Sequence, residues 1–437
     1  MFNSCFYPGC TVGFFGLGKS NIALMNCLPL ENCRIVIRSD EKINRGDIPS
    51  HLSDVKIIEG NDARENISED ILIFSPSVRR ECSEFQKAKD RGVKFTSDAE
   101  LFFENFRGSA LGITGSDGKS TTSALAHLIL EKSGHKAALV GNIGEPMVKS
   151  LRDKNDFYVC ELSSFMLQYL SPPLNCACIT NITPNHLNWH SSFEEYRDAK
   201  IAILKNAEKS VLSDDFKQAY AIFSTEKGYK ELSKTRDAEI FITSENGFIC
   251  KNGKRLVEIC KIKRNEPYNL KNLMCAIGLT HGFCGNEEIV EVASEFPGLE
   301  HRCELFLSRG GIDFYDSSID TSPMRTAQTL NALGRDVVII LGGSDKGLDY
   351  DELIPMVRRY VRHAIITGDN ANKIYSAIKD FTEAEIQNDF GASVMLGIEH
   401  AKTVGTLLLS PASASYDRFK NYRQRGDIFK KIVLKCK

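Results

Sequence analysis

The sequence predicts an α/β protein of three domains, and three observations carry that expectation. At 437 residues the chain is longer than one hydrophobic core serves. Short apolar runs alternate with helix-compatible stretches along it. Most of these runs close on glycine or polar residues, as parallel strands do where their carboxyl ends carry loops. No internal repeat or low-complexity tract interrupts the pattern, which favours docked domains over an array. The alternation restarts twice, giving domains at residues 1–103, 104–299 and 300–437.

The first domain opens with the apolar run Cys10–Phe15. Gly16-Leu17-Gly18-Lys19-Ser20-Asn21 then turns into a helical pattern containing Ile22, Leu24, Met25 and Leu28. Further strands at Arg34–Ile37, Val55–Ile58, Ile71–Phe74 and Val93–Phe95 complete a Rossmann-like βα alternation. Asn21 stands where a dinucleotide fingerprint has its third glycine. Gly16 and Gly18 therefore mark either a nicotinamide dinucleotide turn or a seat for some other nucleotide phosphate.

A helix-like connection, Asp98–Asn105, leads to the strand Leu111–Thr114 and the most informative run of the chain, Gly112-Ile113-Thr114-Gly115-Ser116-Asp117-Gly118-Lys119-Ser120-Thr121-Thr122. Glycines let backbone N–H groups close round phosphate oxygens, and the following helix N-terminus adds a positive dipole. Lys119 bridges outer phosphates and Ser120 ligates Mg²⁺ in such loops. The run reads as a variant phosphate-binding loop for ATP, with Ile113 in place of the first glycine; the competing reading is a structural glycine turn. More strands follow at Ala137–Val140, Phe157–Cys160 and Ala177–Thr180, in a central domain of phosphate-loop ATPase type with a mainly parallel sheet. Ligands gather at the carboxyl ends of such strands, so Asn142, Glu161, Ser163 and Asn181 through His190 are expected near the triphosphate. Glu161 reads either as a magnesium ligand or as a helix-start glutamate beside locally capping Ser163 and Ser164. Residues 211–263 mix short strand-like pieces with charged turns, and residues 265–283 return to an apolar helix.

The third domain repeats the Rossmann-like α/β pattern with strands at Gly311–Tyr315, Val337–Leu341, Ala364–Thr367 and Thr406–Leu409. Gly342-Gly343 and Ser410-Pro411-Ala412 stand at strand ends, where a small-molecule pocket is built.

Composition narrows the class. Lys and Arg number 55 against 57 Asp and Glu, a net charge of −2 that favours neither nucleic acid nor an anionic membrane. The 14 cysteines are scattered without a C-x-x-C pair, which fits reduced thiols, with Cys176 and Cys178 as strand thiols. No apolar run approaches the ~18 residues of a membrane span, and Met1–Cys10 lacks the pattern of a secretory leader. A cytoplasmic enzyme is expected.

Several runs taken together resemble the ordered motifs of the Mur ligase family over nearly the full length. They are Thr114 through Thr121, Gly141-Asn142-Ile143-Gly144, Glu161-Leu162-Ser163-Ser164-Phe165, Asn181-Ile182-Thr183 with His186, His301-Arg302, Asp316-Ser317 and Leu409-Ser410-Pro411-Ala412. The run Ser410 to Gly426 is similar to the C-terminal signature of the branch that adds D-glutamate to UDP-N-acetylmuramoyl-L-alanine. The resemblance implies a monomeric ATP- and Mg²⁺-dependent ligase of peptidoglycan precursor synthesis, working through an acyl phosphate. It implies phosphate contacts from Gly115, Ser116, Asp117, Gly118, Lys119, Ser120 and Thr121, and nucleotide contacts from Asn269, Asn272, Arg302 and Asp316. Ser120 and Glu161 would hold one metal, and His186 a second. Lys200, within Tyr196-Arg197-Asp198-Ala199-Lys200, matches a lysine carbamylated by CO₂ that helps position the metal; its residues alone read as a surface lysine on an amphipathic helix. The UDP-substrate would meet Gly16, Gly18, Arg38, Ser39, Asn142 and Ser163, and D-glutamate Lys346, Ser415 and Tyr422.

Three positions depart from the family pattern. Asp117 replaces a common asparagine, Asn185 a frequent aspartate, and Ser318 a frequent lysine, with Arg325 or Lys346 as candidate replacements for the lost cation. A sibling ligase for another amino acid, a folate-type ligase and a phosphotransferase with a dinucleotide domain are the competing readings.

Overall fold

The computed structural model describes residues 6–52, 55–187, 189–214, 219–224, 240–345 and 347–436. They form two compact units, Met1–Phe296 and Pro297–Lys437. The first unit carries two sheets and the second carries one.

The first sheet holds β1 (Thr11–Phe15), β2 (Arg34–Ser39), β3 (Val55–Glu59), β4 (Ile71–Phe74) and β5 (Lys94–Thr96) in the order β3-β2-β1-β4-β5, all parallel. Strand order reverses between β1 and β4, which opens a crevice at their carboxyl ends. Gly16, at φ 81°, turns the chain there toward the helix Lys19–Cys27. Asn21 is fully buried and donates from Nδ2 to the carbonyls of Phe15 (3.2 Å) and Gly16 (2.7 Å). The residue that spoils the dinucleotide fingerprint is thus the tie between turn and helix.

The second sheet runs β14-β13-β12-β11-β10-β9-β6-β8-β7. Its parallel part is β6 (Ser109–Thr114), β7 (Ala137–Gly141), β8 (Phe157–Glu161), β9 (Pro173–Ile179) and β10 (Asn206–Asp214). An antiparallel extension follows through β11 (Ala219–Ser224), β12 (Ile240–Glu245), β13 (Phe248–Lys251) and β14 (Lys254–Glu258). That extension is where the 211–263 stretch goes, and its residues 215–218 and 225–239 lie outside the described ones. The helix Pro267–Leu279, with proline in its first turn, packs on the helix Lys119–Lys132. It is buried on nearly every side because it lies between that helix and the sheet.

The third sheet holds β15 (Glu304–Arg309), β16 (Ile312–Asp316), β17 (Val337–Leu341), β18 (Val361–Ile366), β19 (Glu383–Ile386) and β20 (Thr406–Leu409), ordered β15-β16-β20-β17-β18-β19. Only β15 is antiparallel. β17 is wholly buried, as an unbroken Val-Val-Ile-Ile-Leu run requires of a central strand covered on both faces. Leu330, Val357 and Ile374 cover one face, and Val394, Ala401 and Phe429 the other. The apolar pattern misses β15 and β19. Both are edge strands: β19 (Glu-Ala-Glu-Ile) has no apolar run, and β15 has only Leu305-Phe306-Leu307 between polar ends.

Candidate active site

Between β6 and the helix Lys119–Lys132 the chain makes a tight loop in which two glycines are sterically required. A Cβ on Gly115 (φ 150°) would stand 1.9 Å from Thr180 Oγ1, and one on Gly118 (φ 80°) 2.2 Å from Asn272 Oδ1. The loop is wedged between the end of β9 and the helix Pro267–Leu279. Residues after β9 brace it: Asn181 Oδ1 accepts from Asp117 N (2.9 Å), Ser116 Oγ accepts from Thr183 N (2.9 Å), and Tyr196 OH lies 2.8 Å from Ser116 Oγ. Lys119 Nζ reaches back across the loop to the carbonyls of Gly115 (2.7 Å) and Ser116 (2.9 Å). Ser120 and Thr121 occupy the first helical turn, Ser120 half-buried and Thr121 buried.

Glu161 is the last residue of β8 and is fully buried. Its Oε1 accepts from Asn142 Nδ2 at 2.7 Å, while Oε2 has no hydrogen-bond partner. A buried carboxylate oxygen without a partner is costly, and a divalent cation satisfies it. The capping role falls to Ser163, whose Oγ accepts from Met166 N (3.3 Å) at the start of the helix Ser164–Leu167. Glu161 is therefore not a helix-start residue.

Lys200 corrects the surface-lysine reading. It lies in the last turn of the helix Phe193–Ile201, only 2% exposed, with Nζ donating to Gly115 O at 2.7 Å and lying 4.7 Å from the Tyr196 ring centre. Burial, then the neighbouring Lys119 cation, push its pKa down to about 6 against the opposing pull of Asp117 and Glu161. The amine is mainly neutral at neutral pH.

His186 adopts φ 53°, its backbone N–H bound by Asn185 Oδ1 (2.8 Å) and its ring 5.1 Å from that of Phe165. Phe165, Trp189, His190 and Tyr196 form an aromatic group beside it that the sequence reading does not single out. Trp189, the single tryptophan of the chain, was the available signal. Its Nε1 donates to Ser77 O (2.8 Å), and Arg79 both covers its ring at 5.1 Å and binds Glu195 at 2.8 Å. The loop after β4 is thereby joined to the loop that carries His186.

Gly16 and Gly18 pack against Ser75 at the end of β4, and Ser39 Oγ accepts from Glu41 N. Arg38 behaves differently from expectation. It is 3% exposed, with Nε on Glu69 Oε1 (2.7 Å), Nη1 on the carbonyls of Ala63 and Glu65, and Nη2 on that of Asn66. A guanidinium held this way holds the domain interior together and is not offered to a diphosphate. Arg38→Ala strands the Glu69 carboxylate and is expected to cost about 3–5 kcal/mol. The loss should appear in urea denaturation and leave nucleotide-substrate affinity unchanged.

Asn272 meets the phosphate loop at Gly118 and Thr122, and Asn269, one turn earlier and buried, donates to Glu266 (2.9 Å). In the second unit Arg302 is half-buried, and Asp316 is fully buried. Asp316 Oδ2 pairs with His301 Nδ1 (2.7 Å) and Oδ1 accepts from Ser318 N (2.9 Å). Its carboxylate thus holds the His301 ring in place. Ser415 is buried after β20, and Tyr422, half-buried, opens the helix Tyr422–Lys435 with its ring 6.1 Å from that of His301. Lys346 and Asn188 lie outside the described residues.

Residues 113–280 match the Mur ligase middle domain. Over 98% of this chain and 97% of its own length, the UDP-N-acetylmuramoylalanine–D-glutamate ligase of Ruminiclostridium cellulolyticum is 33% identical. The chain belongs to the Mur ligase family. A ligase of the same name from Clostridium novyi is 32% identical over 97% of this chain and 96% of the relative. In fold, this Mur ligase is similar to the UDP-N-acetylmuramate-alanine ligase of Thermotoga maritima, with a TM-score of 0.55 at 16% identity, covering 98% of this chain and 100% of that one.

The three departures from the family pattern have structural accounts. Asp117 is exposed and serves the loop through its backbone N–H and C=O, so the loop's own hydrogen bonds do not depend on its side chain. Asn185 accepts the His186 N–H through an amide oxygen, as a carboxylate would. Beside Ser318 stands a buried cation, Arg425, 1% exposed, whose Nε reaches Ser318 Oγ (3.0 Å) and Nη2 Ser318 O (2.9 Å). Arg325, by contrast, is exposed on its helix.

Proposed function

We propose that this Mur ligase joins D-glutamate to UDP-N-acetylmuramoyl-L-alanine, with ATP as co-substrate, as a cytoplasmic monomer in peptidoglycan precursor synthesis. The observation that carries the reading is the convergence of Lys119 Nζ and Lys200 Nζ on the Gly115 carbonyl, on a loop whose parallel-strand neighbour β8 ends in the half-satisfied Glu161. The activity named for relatives alike over nearly their whole length supports it. A carboxylate resists attack because its charge repels a nucleophile and oxide leaves poorly. Transfer of the γ-phosphoryl group removes both obstacles and releases ADP; the amine of D-glutamate then displaces phosphate to form the amide. Lys119 offsets charge on the transferring group by position and electrostatics.

Ser120 and Glu161 supply the oxygen donors that suit Mg²⁺ and would hold one ion, His186 and a carbamylated Lys200 would hold a second, and the metal would neutralise phosphate charge. The domain division 1–103, 104–299 and 300–437 assigns the UDP-substrate to Gly16, Gly18, Ser39, Asn142 and Ser163. It assigns the adenine nucleotide to Gly115 through Thr121 with Asn269 and Asn272. D-glutamate falls to Lys346, Ser415 and Tyr422, with Arg425 adding positive charge at Ser318. Among the described residues no helix is long and apolar enough to cross a membrane. An ADP-release assay with UDP-N-acetylmuramoyl-L-alanine and single amino acids tests the whole reading. Strict dependence on both the nucleotide and D-glutamate is expected; release indifferent to them would leave the phosphotransferase reading in its place.

A further inference from the structure

Part-way along β18 and β19, two imidazoles and a carboxylate converge on one point. His363 faces Glu383 across the strand pair, and Glu385, two residues on, shares that face of the sheet. His400 reaches the same place from the helix Phe390–Val404. His363 Nε2 lies 2.7 Å and His400 Nε2 3.0 Å from the same oxygen, Glu385 Oε1, and the two rings stack with centres 3.7 Å apart. On its other side His363 Nδ1 lies 3.3 Å from Glu383 Oε2.

Proton bookkeeping shows what this arrangement lacks. His363 has a carboxylate oxygen at each ring nitrogen, and a neutral imidazole has one proton for the two. A divalent ion bound by both Nε2 atoms and Oε1 leaves the Nδ1–H of His363 for Glu383. A carboxylate behind a ligating histidine is also the usual support of such a site, since it sets the tautomer and holds the ring.

We propose that His363, Glu385 and His400 form a divalent transition-metal site, oriented by Glu383 and suited to Zn²⁺. Two imidazole nitrogens and one carboxylate oxygen select Zn²⁺ over Mg²⁺, which demands oxygen ligands in near-octahedral array. The three donor atoms lie within 4.8 Å of one another, and rotation of the two rings out of their stack, now 15° from parallel, would aim both Nε2 lone pairs at one ion at the ~2.0–2.2 Å that zinc requires. Partial exposure, 12% for His363, 35% for His400 and 42% for Glu385, leaves a path in and room for a water ligand. The ion would tie the edge strand β19 to both β18 and the helix above it. The other histidine–carboxylate cluster of this unit, His301 with Glu304 and Asp316, already has a cation, Lys430 Nζ at 2.6 Å from Glu304 and 3.9 Å from Asp316.

The test is calorimetric titration of Zn²⁺ into the chelator-treated full chain, the wild type beside His363→Gln and His400→Ala. Cysteines and the phosphate-loop residues contribute alike in all three proteins, so the difference is what counts. The wild type should take up one equivalent more than either variant, Zn²⁺ should raise its Tm and not theirs, and excess Mg²⁺ should not compete. Glu383→Gln, which keeps all three donors, should bind about tenfold more weakly. Equal stoichiometry across wild type and the two histidine variants, or a zinc-induced Tm rise that survives in them, overturns the site.

Discussion

Lys200→Ala is expected to lose turnover by about 10²-fold or more, the scale of removing a group that stabilises developing charge. Acetate or another small carboxylate added to the variant should restore part of it. The chemistry follows from burial. With its pKa at about 6, the amine carries a free lone pair at neutral pH, adds to the carbon of CO₂ and releases a proton, and so becomes an anion beside the phosphate loop. Unchanged turnover in the variant would dispose of this role. The same burial has a thermodynamic signature that is independent of turnover. Lys200 is depressed in the folded state relative to its ordinary value of 10.5, so the unfolded chain binds more protons between about pH 6 and 10.5. Stability in CO₂-free buffer should therefore rise with pH through that window, the penalty being complete below about pH 6. Lys200→Met removes that slope and should be the more stable protein at pH 7, by roughly 1–3 kcal/mol, while inactive. Urea midpoints measured across the window read both the slope and its loss.

Glu161→Gln carries the second large effect. The glutamine oxygen still accepts from Asn142, so the local hydrogen bond survives while the charge at the unpaired Oε2 position disappears. Turnover should fall by about 10²–10³-fold, with a higher Mg²⁺ concentration needed for half-maximal rate and a Tm close to that of the wild type. A variant with normal metal dependence would return Glu161 to a purely structural role.

These two residues differ in how far the sequence revealed them. Glu161 follows an apolar run that becomes β8, and the carboxyl-end rule placed it beside the phosphate loop without any tertiary information. Lys200 sits in a helix whose charged neighbours Arg197 and Asp198 are exposed, and its own pattern reads as surface. Only the packing of that helix under Gly115 buries the amine. Arg38 fails in the opposite direction: a basic residue ending a nucleotide-type strand reads as a ligand contact, yet Glu69, 31 residues away, takes its guanidinium into the interior.

By itself the sequence determined the alternating architecture, the central strands and the phosphate loop. Each depends on rules that act within a few residues: apolar runs for covered strands, glycines for positive φ, and Gly-Lys-Ser for a helix N-terminus open to phosphate. Tertiary structure alone decided the edge strands β15 and β19, the inward turn of Arg38, the neutral amine of Lys200, the Arg425 cation at Ser318 and the meeting of His363 with His400. Their outcome rests on burial and on partners brought in from distant segments, and the free energy of a charged or polar group depends on those partners far more than on its neighbours in the chain.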